Sequence, residues 1–131
     1  MIFVDSSFWI AEAMPRDGRH ATAAALSRAL PTQQLITSNL ILGETWTFLR
    51  RRVGHRFALS WLDTARSHRL DIERIDRALE DEAWSWLRIH DERGYSFVDA
   101  TSFALMRKLR IKEALAFDGD FAAAGFVELR S

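Results

Sequence analysis

The chain has 131 residues, with 18 basic and 18 acidic side chains and no cysteine. That length suits one domain with one buried core; the balanced charge excludes a global basic field of the kind that advertises nucleic-acid binding; and the missing thiols exclude disulfides and Cys-based zinc sites. The longest uncharged run, Ala29 to Gly43, is broken by Pro31 and several polar residues, which excludes a membrane span and predicts a soluble, cytoplasmic single domain over residues 1–131.

Ile2-Phe3-Val4 is apolar without alternation and predicts a strand buried on both faces, near the middle of a parallel sheet. It ends on Asp5, followed by Ser6, Ser7 and a short helix to Ala13. His20 to Leu30 is a second helix, stopped by Pro31. Gln34 to Thr37 is the second strand. Ser38 or Asn39 caps a helix from about Leu40 to Val53, Gly54 permits a break, and a further helix runs from Arg56 to His68. Leu70 to Ile75 alternates apolar with charged residues, as an edge strand wet on one side does.

Asp76 to His90 is amphipathic, with Leu79, Ala83, Trp86 and Leu87 on one face. Trp84 points off that face, either toward an interface or flat against a neighbouring helix. Ser96 to Arg110 is the next helix. Ala114 to Asp118 is a fourth buried strand that also ends on an acid, Phe121 to Ala124 makes one helical turn, and Phe126 to Leu129 closes as a fifth strand. Strands separated by helices predict right-handed crossovers and an α/β fold whose parallel sheet is covered on both faces.

Four acids stand outside the charged surface runs. Asp5 and Asp118 end strands, where ligands gather in open α/β sheets. Glu44 and Asp99 lie among apolar residues in helices; helical spacing puts Glu44 beside Leu40, Ile41 and Phe48, where burial would be costly without compensation. Structural roles compete at each position: Asp5 as a helix cap, Asp118-Gly119 as an Asx turn, Ser96 and Asp99 as a capping box, and Glu44 paired with Arg51 or Arg52. If the four gather, their mutual repulsion demands protons or a cation, and hard oxygen donors suit Mg²⁺ or Mn²⁺. His20, His55, His68 and His90 read as ordinary surface histidines.

These segments, Met1 to Ser7, Thr37 to Glu44, Ser96 to Phe103 and Ala116 to Phe121, resemble in order and spacing the PIN-domain ribonucleases, and above all the small toxins of VapC type from toxin-antitoxin pairs. The resemblance implies a five-stranded parallel sheet in the order 3-2-1-4-5. It implies that Asp5, Glu44, Asp99 and Asp118 are the catalytic acids, with Asp5 and Asp99 as direct ligands to Mg²⁺ or Mn²⁺ and Glu44 and Asp118 completing the site directly or through water. Ser6 falls at a polar supporting position, as a partner for ligand or water or as a helix cap. Asp120 matches a position where the family varies and is left outside the set. Also implied are an RNA substrate of the tRNA or rRNA class, a homodimer and a cognate antitoxin. Arg50, Arg51, Arg52 and Arg56 form the densest basic cluster, as an RNA contact or as solvated helix surface. Two alternatives stay open: a PIN fold without catalysis that serves as a binding module, and a Mg²⁺-dependent phosphotransfer domain, which the lone Asp5 before Ser6-Ser7 disfavours.

Overall fold

The structure is a computed structural model that describes residues 1–67 and 70–130. Its strands are β1 (Ile2–Val4), β2 (Leu35–Ser38), β3 (Asp71–Glu73), β4 (Glu113–Leu115) and β5 (Val127–Glu128). All pair in parallel, in the order β3-β2-β1-β4-β5. Successive strand residues face opposite sides of a sheet, and Ile2, Phe3 and Val4 are all buried. Both faces at β1 are therefore covered, as its unbroken apolar run requires. The edges behave differently: Asp71 on β3 and Val127 on β5 are exposed.

The helices are α1 (Ser6–Ala13), α2 (His20–Ala29), α3 (Asn39–Arg52), α4 (His55–Ser67), α5 (Arg77–Ile89), α6 (Phe97–Leu109) and the single turn α7 (Asp120–Ala123). Four of these starts are chemically marked. Asp5, Ser38, Asp76 and Ser96 cap α1, α3, α5 and α6 with side-chain oxygens, each satisfying an amide that the first helical turn leaves without a partner. The predicted end of α4 at His68, and that histidine's exposure, lie outside the described residues.

Packing follows the helix faces. Phe103 on α6 meets Phe121 at 4.9 Å, Phe126 at 5.6 Å and Trp86 of α5 at 5.2 Å between ring centroids. On the other flank Phe8 and Trp9 of α1 pack on each other, and Trp9 meets Trp61 of α4. Trp84 does point off the buried face of α5: it is 47% exposed, yet it stacks on Phe97 of α6 at 4.3 Å.

β4, like the edge strands β3 and β5, is shorter than the sequence predicts. β4 stops at Leu115, so Ala116, Phe117 and Asp118 run beyond the ladder. Side chains take over their backbone groups: the Phe117 N–H donates to Ser7 Oγ at 3.1 Å, and the Ala116 carbonyl accepts from Arg130 at 3.0 Å. Asp118 is thus carried on a pinned loop at the carboxyl end of β4, beside the end of β1, to which β4 is hydrogen-bonded.

Candidate metal centre

β1 turns into α1 at Asp5, and the same carboxylate that ends the strand caps the helix. Its Oδ2 accepts from the Ser7 amide at 3.1 Å and from the Ser7 hydroxyl at 2.7 Å. Asp5 is 2% exposed. Burial, with repulsion from Asp118 and Asp99 added, pushes its carboxyl up from 3.8 to about 7 against the pull of the Ser7 bonds.

Asp99 reaches the same end of the sheet from the first turn of α6, where it completes a capping box: the Ser96 hydroxyl accepts from the Asp99 amide, and Asp99 Oδ2 accepts from the Ser96 amide, both at 3.0 Å. Burial and the nearby Asp120 and Asp118 raise its carboxyl to about 6. Asp118, raised by burial and by Asp120, accepts from the Asp120 amide at 3.1 Å, the Asx turn that its glycine neighbour allows. Gly119 has φ +82°, a left-handed conformation open to glycine. One carboxylate oxygen from each of Asp99, Asp118 and Asp120 lies within 4.8 Å of the others. The competing structural roles of Asp5, Asp99 and Asp118 are all realised, in the same side chains that gather at this sheet end.

Glu44 differs from the expectation. It is exposed, and it lies outside the close cluster of Asp99, Asp118 and Asp120. Its neighbours Leu40 and Phe48 line an open groove with Phe97 and Val98, so the apolar face it shares is not sealed. Nor does it pair with Arg51 or Arg52 among the described residues; Arg52 lies over the Phe48 ring at 5.1 Å. Instead Ser6 donates to Glu44 Oε1 at 2.5 Å. Ser6 is accordingly neither the cap of α1, which is Asp5, nor a neighbour of Asp5 Oδ2, which belongs to Ser7. It tethers Glu44 to the start of α1.

The PIN domain model matches residues 2–127 of the chain. The chain belongs to the PIN domain family. This PIN domain is 55% identical over 130 residues, 99% of the chain and 98% of the relative, to the 23S rRNA-specific endonuclease VapC20 of Mycobacterium tuberculosis, in strains CDC 1551 / Oshkosh and H37Rv. It is similar over 100% of both chains to the crystal structure of Mycobacterium tuberculosis VapC20, described as a sarcin-ricin loop cleaving toxin, with a TM-score of 0.95 and 53% identity. A toxin-antitoxin complex from Klebsiella pneumoniae, at a TM-score of 0.70 and 17% identity over 98% of this chain and 97% of that one, shares the PIN fold alone. Membership in this family sets aside the phosphotransfer alternative.

PIN nucleases use a divalent metal, and the donors here fit one. Oxygens on opposite sides of a Mg²⁺ ion stand about 4.2 Å apart, a separation compatible with carboxylate oxygens that all lie within 4.8 Å of one another. The donors are all hard oxygens, and the elevated carboxyls of Asp5, Asp99 and Asp118 mark a pocket whose charge lacks a counterweight. Three participants escaped sequence reading. Asp120 joins the cluster. Ser7 holds Asp5. Arg93, in the loop between α5 and α6, ion-pairs Asp120 through Nε at 2.6 Å and donates from Nη2 to the Asp118 carbonyl at 2.9 Å. The only signal for Arg93 was its place in a short polar loop just ahead of Asp99.

Proposed function

We propose that this PIN domain is a metal-dependent endoribonuclease toxin of VapC type that cleaves ribosomal RNA, with Asp5, Glu44, Asp99 and Asp118 as catalytic acids and Mg²⁺ or Mn²⁺ as the ion. The observation that carries this is the convergence at one sheet end of Asp5 and Asp99, both buried and proton-hungry, with the more open Asp118, in a chain 55% identical to a 23S rRNA-specific endonuclease. The relative's target supports the sarcin-ricin loop as the RNA element cleaved.

The residues divide the work by what already occupies their oxygens. Asp5 and Asp99 each have Oδ2 held by a helix amide, which leaves Oδ1 of each for direct ligation. Asp118 completes the pocket from its pinned loop. Glu44 orients water at the rim, a role supported by its hold through Oε1 on Ser6 and its exposure to solvent. The chemistry supplied by a divalent ion there is acidification of water and neutralisation of charge on the phosphoryl group during hydrolysis.

In this reading the protein works in the cytoplasm as a homodimer restrained by a cognate antitoxin. Trp84, 47% exposed and stacked on the half-buried Phe97, supports the dimer, since large aromatics left outside a core commonly mark interfaces. The test is incubation of purified protein with ribosomes and with free 23S rRNA, with Mg²⁺, with Mn²⁺ and with chelator. Metal-dependent cleavage that Asp5→Asn and Asp99→Asn abolish, in variants that remain folded, is the expected result. Wild-type levels of cleavage by either variant would refute the site, and no cleavage by the parent would leave a binding module.

A further inference from the structure

The charge of the acidic pocket poses a problem for an RNA substrate. Asp99, Asp118 and Asp120 cluster at one sheet end, Asp5 is close enough to Asp99 and Asp118 to be repelled by them, and a single divalent ion does not cancel the four. A phosphodiester backbone must nonetheless come against this pocket, and the chain has no net positive charge to draw it in. Among the described residues one basic side chain is ion-paired into the cluster, and it is Arg93.

Its geometry is that of a half-used fork. Nε donates to Asp120 Oδ1 and one Nη2 N–H goes to the Asp118 carbonyl. A guanidinium carries five N–H donors in one plane, so three remain. Nη1 meets no acceptor among the described residues, and the side chain is 42% exposed at the mouth of the pocket. The loop beneath it is fixed: the Tyr95 amide donates to the Arg93 carbonyl at 2.9 Å, and the Tyr95 ring packs on Trp86 at 4.8 Å and Phe103 at 5.7 Å. Gly119 keeps the space below open, since a Cβ there would stand 3.0 Å from Arg93 Nη2. The head group is pre-oriented by two bonds on one edge while its other edge is left for an anion, an arrangement suited to bidentate phosphate recognition.

We propose that Arg93 is a substrate-binding residue that grips an RNA phosphate beside the scissile bond, and that Asp120 serves as a positioning residue that aims it. The inference rests on the ribonuclease reading above and adds the group that admits the backbone to an acidic pocket. It also gives Asp120 a role distinct from metal ligation. A counter-intuitive sign follows. Removing the negative charge of Asp120 should by itself strengthen RNA binding; if Asp120 aims Arg93, its removal weakens binding instead.

The experiment measures binding of a fluorescent sarcin-ricin loop hairpin by anisotropy across a salt series, in the Asp99→Asn background so that the probe is not cut. Arg93→Gln is expected to weaken binding about tenfold and to lower the slope of log affinity against log salt by about 0.7, with Arg93→Lys intermediate. Asp120→Asn is expected to weaken binding when Arg93 is present and not when residue 93 is glutamine, the non-additivity of two residues acting as one. Calorimetric titration of Mn²⁺ into the protein with Asp99 intact is expected to give affinities within threefold for Arg93→Gln and its parent. Hairpin binding that ignores Arg93, or loss of Mn²⁺ binding in Arg93→Gln, would overturn this inference alone. Failure of the Arg93-containing protein to bind the hairpin at all would overturn it together with the ribonuclease reading.

Discussion

The carboxyl of Asp5 is held near 7 instead of 3.8, so the folded protein binds its proton more tightly than the unfolded chain does. The resulting penalty is fully present above pH 7, shrinks as pH falls through that value, and is gone below the unfolded value of 3.8. Its size at alkaline pH is of order 4 kcal/mol, and Asp99, raised to about 6, acts in the same direction. Metal-free protein is therefore expected to melt at a higher temperature at pH 5.5 than at pH 8, and Asp5→Asn to flatten that dependence and stabilise the protein at pH 8. Calorimetric scans across pH decide it; an unchanged profile in Asp5→Asn would place the cost elsewhere. Ser6→Ala tests the tether on Glu44. Because Glu44 is exposed, losing the bond leaves no buried orphan, and stability should stay within about 0.5 kcal/mol while cleavage falls. At this scale the sequence exposed Asp5, through the apolar run that stops at it, and missed the exposure of Glu44, because helical spacing tells which residues share a face and not whether anything covers that face.

At the scale of the element, the start of α6 does two jobs with one motif. The capping box fixes the helix and also fixes the side chain of Asp99. Ser96→Ala is expected to lose about 1 kcal/mol from the missing cap, a drop of roughly 3–5 °C in melting temperature for a domain of this size, and to weaken Mn²⁺ binding as Asp99 loosens. Asp99→Asn makes the opposite trade: it keeps an oxygen for the Ser96 amide and removes the charge, so its melting temperature should hold while Mn²⁺ binding is lost. Titration and melting of the two variants separate the roles, and a pair that behaves alike would show them to be one. The motif was legible because its two halves are three residues apart. The end of β4 was not, since it depends on Ser7 and Arg130, which meet residues 117 and 116 only in the fold. The Arg93-Asp120 pair, 27 residues apart, was hidden for the same reason.

For the whole molecule, an ion that binds only the folded state stabilises it by mass action, about 0.4 kcal/mol at a concentration equal to its dissociation constant and about 2.7 at a hundredfold excess. Millimolar Mn²⁺ is expected to raise the melting temperature of the parent and not of Asp5→Asn/Asp99→Asn; equal shifts in both would mean that the ion binds elsewhere. The architecture was the most legible level. Unalternating runs in β1 and β4 against the wet β3 order the sheet from centre to edge, and the capping residues mark where helices begin. One contact in this sheet gives the site a direction. Ser7 Oγ accepts from the Phe117 amide and donates to Asp5 Oδ2, joining positions 110 residues apart. A hydroxyl has one proton, and an amide facing its oxygen cannot receive it, so the proton points only toward Asp5. Oδ2 is thereby committed to accepting, from the hydroxyl and from the Ser7 amide as well. Oδ1 is left as the oxygen open to a proton in acid or, in the proposed site, to a cation at neutral pH, so the backbone far along the chain selects which atom of the first acid does the exchanging.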